Sequence, residues 1–282
     1  SAAAVFHADR EAAAGQFLLT VNRGPALLDA VKRARTAGAG EETLVSDGRT
    51  YRVLANAVEG EAGGTVVLLL DMTEEQAAEQ SRRVFTANVS HELKTPLTSI
   101  SGYAEILRDG LTRPEDVRPF AGKIYDEANR LITLIGDIIR LSQLDEKRGL
   151  PERVDCDLLD IAEKAVARLR PEAEKAGVSL TLSGVHAAIR GIPKLLDEMV
   201  FNLAENAVKY NRPDGAVTVA IDMEDGRPVL RVSDTGVGIP EEEQARVFER
   251  FYRVDRSRTK TTGGTGLGLS IVKHGAELHG AR

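Results

Sequence analysis

Residues 88–104 read NVSHELKTPLTSISGYA, with apolar residues at every third or fourth position. This spacing predicts one face of an amphipathic helix. His91 lies two residues from both Val89 and Leu93, which places it roughly 200° around the helix from each. We therefore predict that its imidazole points to solvent. The stretch begins like the zinc-protease motif His-Glu-x-x-His, but Thr95 stands where the second metal ligand is required.

Pro96 lies inside this predicted helix, where proline removes a backbone hydrogen bond and costs about 3 kcal/mol. The residue before a proline is biased away from helical angles, so we expect a bend one turn beyond His91. Thr95 is one turn from His91 and shares its face of the helix. On this stretch alone, a surface histidine without a function explains His91 equally well.

The bulk composition is that of a soluble globular protein. The chain has 282 residues, 42% hydrophobic and 28% charged, which predicts about two domains or three small ones. A net charge of −6 argues against a nucleic-acid-binding protein. The single cysteine, Cys156, fits a reducing cytosol, and a structural thiol explains it better than a catalytic one. The longest strongly apolar run, residues 66–70, is far shorter than the roughly 20 residues of a membrane span.

Three regions differ in their pattern. Residues 1–72 contain the helix-like PALLDAVKRARTAG and then three strand-like stretches, EETLVSD, TYRVLANAVE and GTVVLLLDM. The turn signals DGR and EGEAGG separate these stretches, which predicts a helix followed by an antiparallel meander. Residues 73–148 have the apolar spacing of helices. From about residue 154 helices and strands mix, with a hairpin signal at Asp225-Gly226.

The middle region carries two apolar stripes on either side of the break DGLTRPEDVRP. They predict two long helices in an antiparallel hairpin. Pairing two hairpins into a dimeric four-helix bundle is the economical way to bury both stripes. The first stripe is Phe85, Val89, Leu93, Leu97, Ile100, Ala104, Leu107 and Leu111; the second is Phe120, Ile124, Ala128, Leu131, Ile135, Ile138 and Leu141.

Four stretches of the C-terminal region need explanation. NLAENAVKYN (202–211) lies on a predicted amphipathic helix, with Asn202 and Asn206 one turn apart. Taken alone, these asparagines are explained more simply as caps or core hydrogen-bonding groups. VSDTGVGIP (232–240) ends a strand in a glycine-rich turn, and FERFYRVD (248–255) is aromatic and basic.

The fourth stretch, GGTGLGLSIVKH (263–274), is a glycine-rich loop that leads into a helix. Such a loop lets the backbone approach phosphates at the helix N-terminus. Its spacing differs from G-x-G-x-x-G, and Leu269 stands where a P-loop needs lysine. Neither a Rossmann dinucleotide site nor a Walker ATPase is therefore supported.

Together these stretches resemble, in order and spacing, the H, N, G1, F and G2 boxes of sensor histidine kinases. The boxes are SHELKTPLTSI, NLAENAVKY, DTGVGIP, FERFYRVD and GGTGLGLSIVK, across residues 85–282. Among these kinases, the sequence most resembles the phosphate-regulon type of sensor. The resemblance implies a multidomain α+β protein with a PAS-like α/β sensor, a dimeric antiparallel helical hairpin forming a four-helix bundle, and an α/β sandwich ATP-binding domain.

The domain boundaries follow from the same resemblance. We expect a PAS-like sensor at 1–72, a region that is short for a complete PAS fold of roughly 100 residues. A signalling linker helix is expected at 73–84. A dimerisation and histidine phosphotransfer domain follows at 85–148, then a catalytic ATP-binding domain at 153–282. The sequence stops after the helix that follows the G2 box, so we expect the closing strands of the family to lie outside it.

The family's roles transfer to matching positions. By resemblance, His91 is the phosphoacceptor, and Glu92 is suited to accept a hydrogen bond from its second ring nitrogen. Neutral imidazole is a good nucleophile at pH 7 once its tautomer is held. Thr95 matches the position that orients a water for dephosphorylation of the partner.

The resemblance also implies a site for ATP and Mg²⁺. Asn206 matches the Mg²⁺ ligand, with Asn202 as its companion, since oxygen donors suit this ion. Lys209 is expected at the phosphates, Tyr210 against the nucleotide, and Asp234 at the adenine amino group. The remaining expected contacts are Gly236 and Gly238, which permit close approach; Arg253, which offsets charge on the transferring phosphoryl group; and Gly264, Thr265, Gly266, Leu267 and Gly268, the hinge of a mobile lid with RSRTKTT as its basic tip.

The implied partners are a response regulator and a second copy of the chain. The implied location is the cytoplasmic part of a membrane-anchored sensor, with no nucleic acid bound. Two alternatives remain at this point. An ATPase of the gyrase or chaperone type would carry a glutamate in place of Asn202 to activate water, and a non-catalytic scaffold would not need His91, Asn206 and Asp234.

Overall fold

The computed structural model describes Val5 and residues 24–58, 64–146, 149–254 and 264–281. The chain divides into two compact units, Ser1–Ala87 and Asn88–Arg282. The predicted RSRTKTT tip and the first part of the predicted sensor lie outside the described residues. The mixed α+β fold class is confirmed.

The first unit is a helix followed by a three-stranded meander, as its turn signals predict. Helix α1 (Pro25–Ala37) precedes β1 (Ala39–Ser46), β2 (Arg49–Val58) and β3 (Gly64–Asp71), which pair antiparallel in that order. The β1–β2 turn places Asp47 and Gly48 at φ 50° and 72°, the left-handed region that asparagine-like residues and glycine tolerate. The core between helix and sheet consists of Leu27, Ala30, Ala34, Leu44, Tyr51, Val53 and Ala55.

Helix α2 (Thr73–Arg108) begins directly after β3. The Asp71 carboxylate accepts hydrogen bonds from the Thr73 backbone N–H (3.1 Å) and hydroxyl (2.5 Å). Thr73 Oγ1 in turn accepts from the Thr50 backbone N–H at 3.0 Å. These bonds lower the pKa of Asp71, with the Thr73 hydroxyl as the largest cause and Arg49 as a smaller one. The start of the helix is therefore tied to strand β2.

Helices α2 and α3 (Pro114–Glu146) are joined by residues 109–113, as the predicted helical hairpin requires. Near this connection the Tyr103 and Phe120 rings lie 5.4 Å apart, with the Lys123 ammonium 5.2 Å from the Tyr103 ring. Helix α2 continues through Thr95 and Pro96, and the bend expected one turn beyond His91 stays a prediction. Pro96 is buried, so packing offsets the cost of a proline inside the helix.

The rest of the second unit is an α/β layer. Strands β4 (Val154–Asp157) and β6 (Ala188–Gly191) pair antiparallel; β5 (Ser179–Gly184) pairs parallel with β7 (Ala216–Glu224), which pairs antiparallel with β8 (Arg227–Asp234). The predicted hairpin lies at Asp225-Gly226, both with positive φ. The helices are α4 (Leu158–Ala176), α5 (Pro193–Lys209), α6 (Glu241–Gln244) and α7 (Gly268–His279).

Helix α5 contacts both α4 and α7 and lies against β7 and β8, so it forms the centre of this layer. Alternate residues of β7, Val217, Val219 and Ile221, are completely buried, as expected for one covered sheet face. Asp157 caps α4 by accepting from the Leu159 backbone N–H. Among the described residues, no helix is long and apolar enough to cross a membrane.

Candidate functional site

His91 lies on α2 with its side chain 81% exposed, which confirms the predicted outward orientation. Its Nδ1 is 3.9 Å from Glu92 Oε1, too long for the expected hydrogen bond in this conformation. Thr95 Oγ1 donates to the His91 backbone carbonyl at 3.2 Å. The imidazole is therefore accessible to a reacting group, and a hydroxyl lies one turn away on the same face.

A shallow groove runs along α2 beside His91. Its walls include Ser90, Leu93, Lys94, Leu97, Thr98 and Ser101. Leu97 is 51% exposed, although it belongs to the predicted apolar stripe. The surface next to the histidine is thus partly apolar and open to another protein surface.

The predicted metal-binding asparagines lie on α5. Asn202 and Asn206 are one helical turn apart and both half-buried. A methyl group added at Gly268 would lie 3.2 Å from Asn202 Oδ1, so this amide faces the N-terminus of α7. The geometry brings the Asn202 amide oxygen next to the helix end where phosphates are expected.

Cationic groups converge on Gly264. A methyl group added there would lie 2.5 Å from Lys209 Nζ, and Arg253 Nη1 donates to the Gly264 carbonyl at 2.8 Å. Burial lowers the pKa of Lys209, and the Glu205 carboxylate opposes that shift. The Lys209 ammonium also lies 5.7 Å from the centre of the Tyr210 ring. The structure thus brings together four residues that the sequence predicts at the nucleotide.

Asp234, at the end of β8, is exposed and accepts from the Gly236 backbone N–H at 2.8 Å. A methyl group at Gly236 would lie 2.5 Å from the Tyr210 carbonyl, so only glycine permits this approach. Gly238 has φ 72°. The predicted adenine-binding turn therefore lies against the C-terminal end of α5.

The predicted hinge residues precede and begin α7. Gly264 and Gly266 have φ of 130° and 70°, respectively, and Leu267 is completely buried. Phe251, also at positive φ, donates its N–H to the Gly266 carbonyl at 2.9 Å, which ties the FERFYRVD stretch to this hinge. The Thr265 hydroxyl donates to Asp137 Oδ2 of helix α3 at 2.6 Å.

The contact between Thr265 and Asp137 was missed by the sequence prediction, together with others on α3. Arg250 Nη2 lies 2.6 Å from Asp145 Oδ1, and Arg140 Nε lies 2.9 Å from Glu198 Oε2. The available signal was a second periodic face on α3, beside the predicted apolar stripe. Its mixture of charged residues and leucines resembles an ordinary solvated face, which is why hydrophobic periodicity did not detect it.

Residues 81–147 match the His Kinase A (phospho-acceptor) domain. Residues 191–282 match the histidine kinase-, DNA gyrase B- and HSP90-like ATPase family. His91 falls in the first match, and the residues around Gly264 fall in the second.

Two curated relatives are similar over most of this chain. The sensor-like histidine kinase SenX3 of Mycolicibacterium smegmatis is 40% identical over 76% of this chain and 56% of its own length. The sensor protein kinase WalK of Staphylococcus aureus is 34% identical over 84% of this chain and 58% of its own length. The chain therefore spans about half the length of the curated relatives it matches.

Among solved structures, histidine kinase ThkA in complex with response regulator protein TrrA has a TM-score of 0.51. It is 18% identical, over 80% of this chain and 71% of that chain, and this likeness concerns the fold. The two domain matches and the curated relatives show that the chain carries the phospho-acceptor and ATPase domains of histidine kinases. The ATPase-family match implies that its C-terminal domain binds ATP.

Proposed function

We propose that this protein transfers the γ-phosphoryl group of ATP to His91 and then to an aspartate of a response regulator. The observation that carries this proposal is the exposed imidazole of His91, 81% accessible, in a chain that also has the ATPase-family site. In the first step a bond forms between an imidazole nitrogen and the γ-phosphorus. The bond from that phosphorus to the bridging oxygen breaks, and ADP leaves with the electron pair.

The chain's own residues supply positioning and charge, on which phosphoryl transfer mostly depends. Lys209 and Arg253 place positive charge beside Gly264, where it offsets the phosphate charge. Glu92 lies next to His91 in the chain, with its Oε1 3.9 Å from the imidazole Nδ1. A side-chain rotation that shortens this distance would let the Glu92 carboxylate accept a hydrogen bond from the imidazole N–H. Such a bond stabilises the positive charge that develops on the attacking ring.

The donor set on α5 fits Mg²⁺. Asn206 is placed to bind the ion and Asn202 to bind it or its waters, because amide oxygens, phosphates and waters are its usual ligands. When bound, the ion neutralises phosphate charge. Asn202 has no basic group with which to activate water, and this disfavours the alternative of a hydrolytic ATPase.

Further proposals concern partners and the reverse reaction. Isoleucines on α3 are exposed in the single chain, Ile132 by 68%, Ile135 by 43% and Ile139 by 54%, which supports a homodimer through the hairpin. The groove beside His91 supports docking of a response regulator, and the structure of ThkA was solved in complex with the response regulator protein TrrA. Thr95 is placed to orient water for dephosphorylation of the regulator.

The same proposal covers the domain layout: a PAS-like sensor at 1–72, a linker helix at 73–84, a phosphotransfer hairpin at 85–148 and an ATP-binding domain at 153–282. Helix α1 and the antiparallel meander support the sensor assignment. We further propose that the chain is the cytoplasmic part of a membrane-anchored sensor.

Labelling with Mg-ATP tests the proposed function. We expect phosphate on the protein that is labile in acid and stable in base, and a His91→Gln variant should lose essentially all of it. His186→Gln is the matched control, because His186 is also an exposed histidine, 74% accessible, but lies outside the phosphotransfer helices. Equal labelling of the His91→Gln variant and the wild type would contradict the proposal.

A further inference from the structure

One side of α3 is held against the ATP-binding region. Leu134, Leu141 and Leu144 are buried on this side, with Asp137 and Asp145 among them, and α3 contacts α7. This side differs from the one that carries Ile132, Ile135 and Ile139, which remain exposed. Helix α3 therefore has two different faces: one lies against the ATP-binding region, and the other carries the exposed isoleucines of the proposed dimer interface.

Asp137 reaches the glycine hinge. Its Oδ2 accepts the Thr265 hydroxyl hydrogen bond at 2.6 Å. Thr265 lies between two glycines of positive φ and three residues before the first residue of α7, Gly268. The free N–H groups and positive dipole of a helix N-terminus attract phosphates, so a carboxyl group lies at the place where phosphates are expected.

The charges around the hinge make this contact competitive with phosphate. Lys209 and Arg253 surround Gly264, and Asp137 is close enough to α5 to raise the pKa of Glu205, whose own burial is the main cause. Burial also raises the pKa of Asp137, while the Thr265 hydrogen bond opposes that shift. A carboxylate and a phosphate brought to the same hinge repel one another.

A second contact holds α3 eight residues further along. Asp145 Oδ1 lies 2.6 Å from Arg250 Nη2 and 3.4 Å from His274 Nε2. His274 Nδ1 is 2.8 Å from the Ser270 carbonyl, which can only accept, so Nδ1 carries the proton and Nε2 faces Arg250. The Asp145 contact joins α3 to the F box and to α7 without touching the hinge.

We propose that helix α3 competes with the ATP phosphates for the glycine hinge. Asp137 holds the Thr265 hydroxyl, and Asp145 anchors the docked helix through Arg250. Nucleotide binding then requires the release of Asp137 from Thr265, and conversely any movement that withdraws α3 strengthens nucleotide binding. Such coupling is reciprocal by thermodynamic necessity. This inference rests on the proposed nucleotide site but not on phosphorylation of His91.

Calorimetric titration of the whole chain with Mg-ADP and Mg-ATP tests the competition. Asp137→Asn should tighten Mg-ATP binding by about fivefold or more, the usual lower range of coupling between sites, and Mg-ADP binding by less. Asp145→Asn should tighten both nucleotides, because it weakens docking away from the hinge. Asp126→Asn is the control, since Asp126 is exposed on the same helix.

Unchanged or weaker Mg-ATP binding by Asp137→Asn overturns the competition, and unchanged binding by Asp145→Asn overturns the anchor. If the wild type binds nucleotide but does not label His91, the proposed function fails while this test still stands. Hydrogen exchange on the wild type provides a measurement without substitutions. Mg-ATP should accelerate exchange in residues 134–146 of α3, and unaltered or slower exchange there contradicts the release of the helix.

Discussion

Glu92 and Thr95 lie close to His91 and have different proposed roles. The imidazole and Glu92 are 3.9 Å apart, whereas the Thr95 hydroxyl is held one turn away by a bond to the His91 carbonyl. A threonine hydroxyl that bonds back to residue i−4 adds little to helix stability. Loss of the Thr95 hydroxyl should therefore cost the fold little, so its proposed role in orienting a water can be tested separately.

The Thr95→Ala variant should retain autophosphorylation and lose most of its phosphatase action on the response regulator. The physical reason is that the alanine keeps the helix but cannot orient a water. Thr133→Ala provides the control, because Thr133 makes the same bond to Asn129 on α3 at 3.1 Å far from His91 in sequence. The measurement compares labelling rates with rates of regulator dephosphorylation. Equal loss of both activities would count against this role.

At the scale of the element, the start of α2 is determined by a few polar groups. The Asp71 carboxylate accepts from the Thr73 backbone N–H and hydroxyl, and the Thr73 hydroxyl oxygen accepts from the Thr50 backbone N–H. The first N–H groups of a helix have no partner within the helix, and Asp71 supplies one for Thr73. Because these bonds lower the pKa of Asp71 from its ordinary 3.8, the ionised form is the one that stabilises the fold. That stabilisation is complete above the ordinary pKa and is lost as the pH falls through the lowered value.

We expect Asp71→Asn to reduce the acid sensitivity of the unfolding temperature between about pH 5 and pH 2. At neutral pH the same variant should be less stable than the wild type, because asparagine is a weaker acceptor for the Thr73 groups. Asp47→Asn is the matched control, since asparagine tolerates the positive φ of this turn. An acid dependence identical to that of the wild type would show that Asp71 contributes nothing to this transition.

At the scale of the whole molecule, exposed isoleucines on α3 need a partner. Ile132 and Ile139 are 68% and 54% exposed, an unusual arrangement for large apolar groups in a row on one helix. The proposed four-helix bundle of two chains buries them, and the stability of that bundle comes from the apolar area removed from water.

A double variant, Ile132→Glu with Ile139→Glu, should weaken dimer formation at least about tenfold, because central interface residues dominate association. Val185→Glu is the control, since Val185 is 50% exposed in the ATP-binding region and should leave association unchanged. Sedimentation equilibrium measures the dissociation constant. A double variant that dimerises as tightly as the wild type would place the interface elsewhere.

Local patterns determined much of this protein. The apolar spacing predicts the long helices α2 and α3, and the Asp-Gly pairs predict the turns at Asp47-Gly48 and Asp225-Gly226. Five short stretches carry the resemblance from which the phosphoacceptor and the nucleotide-binding residues are proposed. These features depend on residues close together in the chain, so periodicity and spacing reveal them. Pro96 is the exception at this range, because its local preference disfavours a helix interior and yet α2 continues through it.

Only the tertiary structure decided which side of α3 meets the ATP-binding region. The Thr265–Asp137 and Arg250–Asp145 contacts join residues 128 and 105 positions apart, and neither aspartate belongs to a recognisable motif. The close approach of Gly236 to the Tyr210 carbonyl likewise depends on how β8 packs beside α5. The periodicity of one helix cannot assign contacts between residues so distant in sequence, because their partners are set by the packing of whole elements.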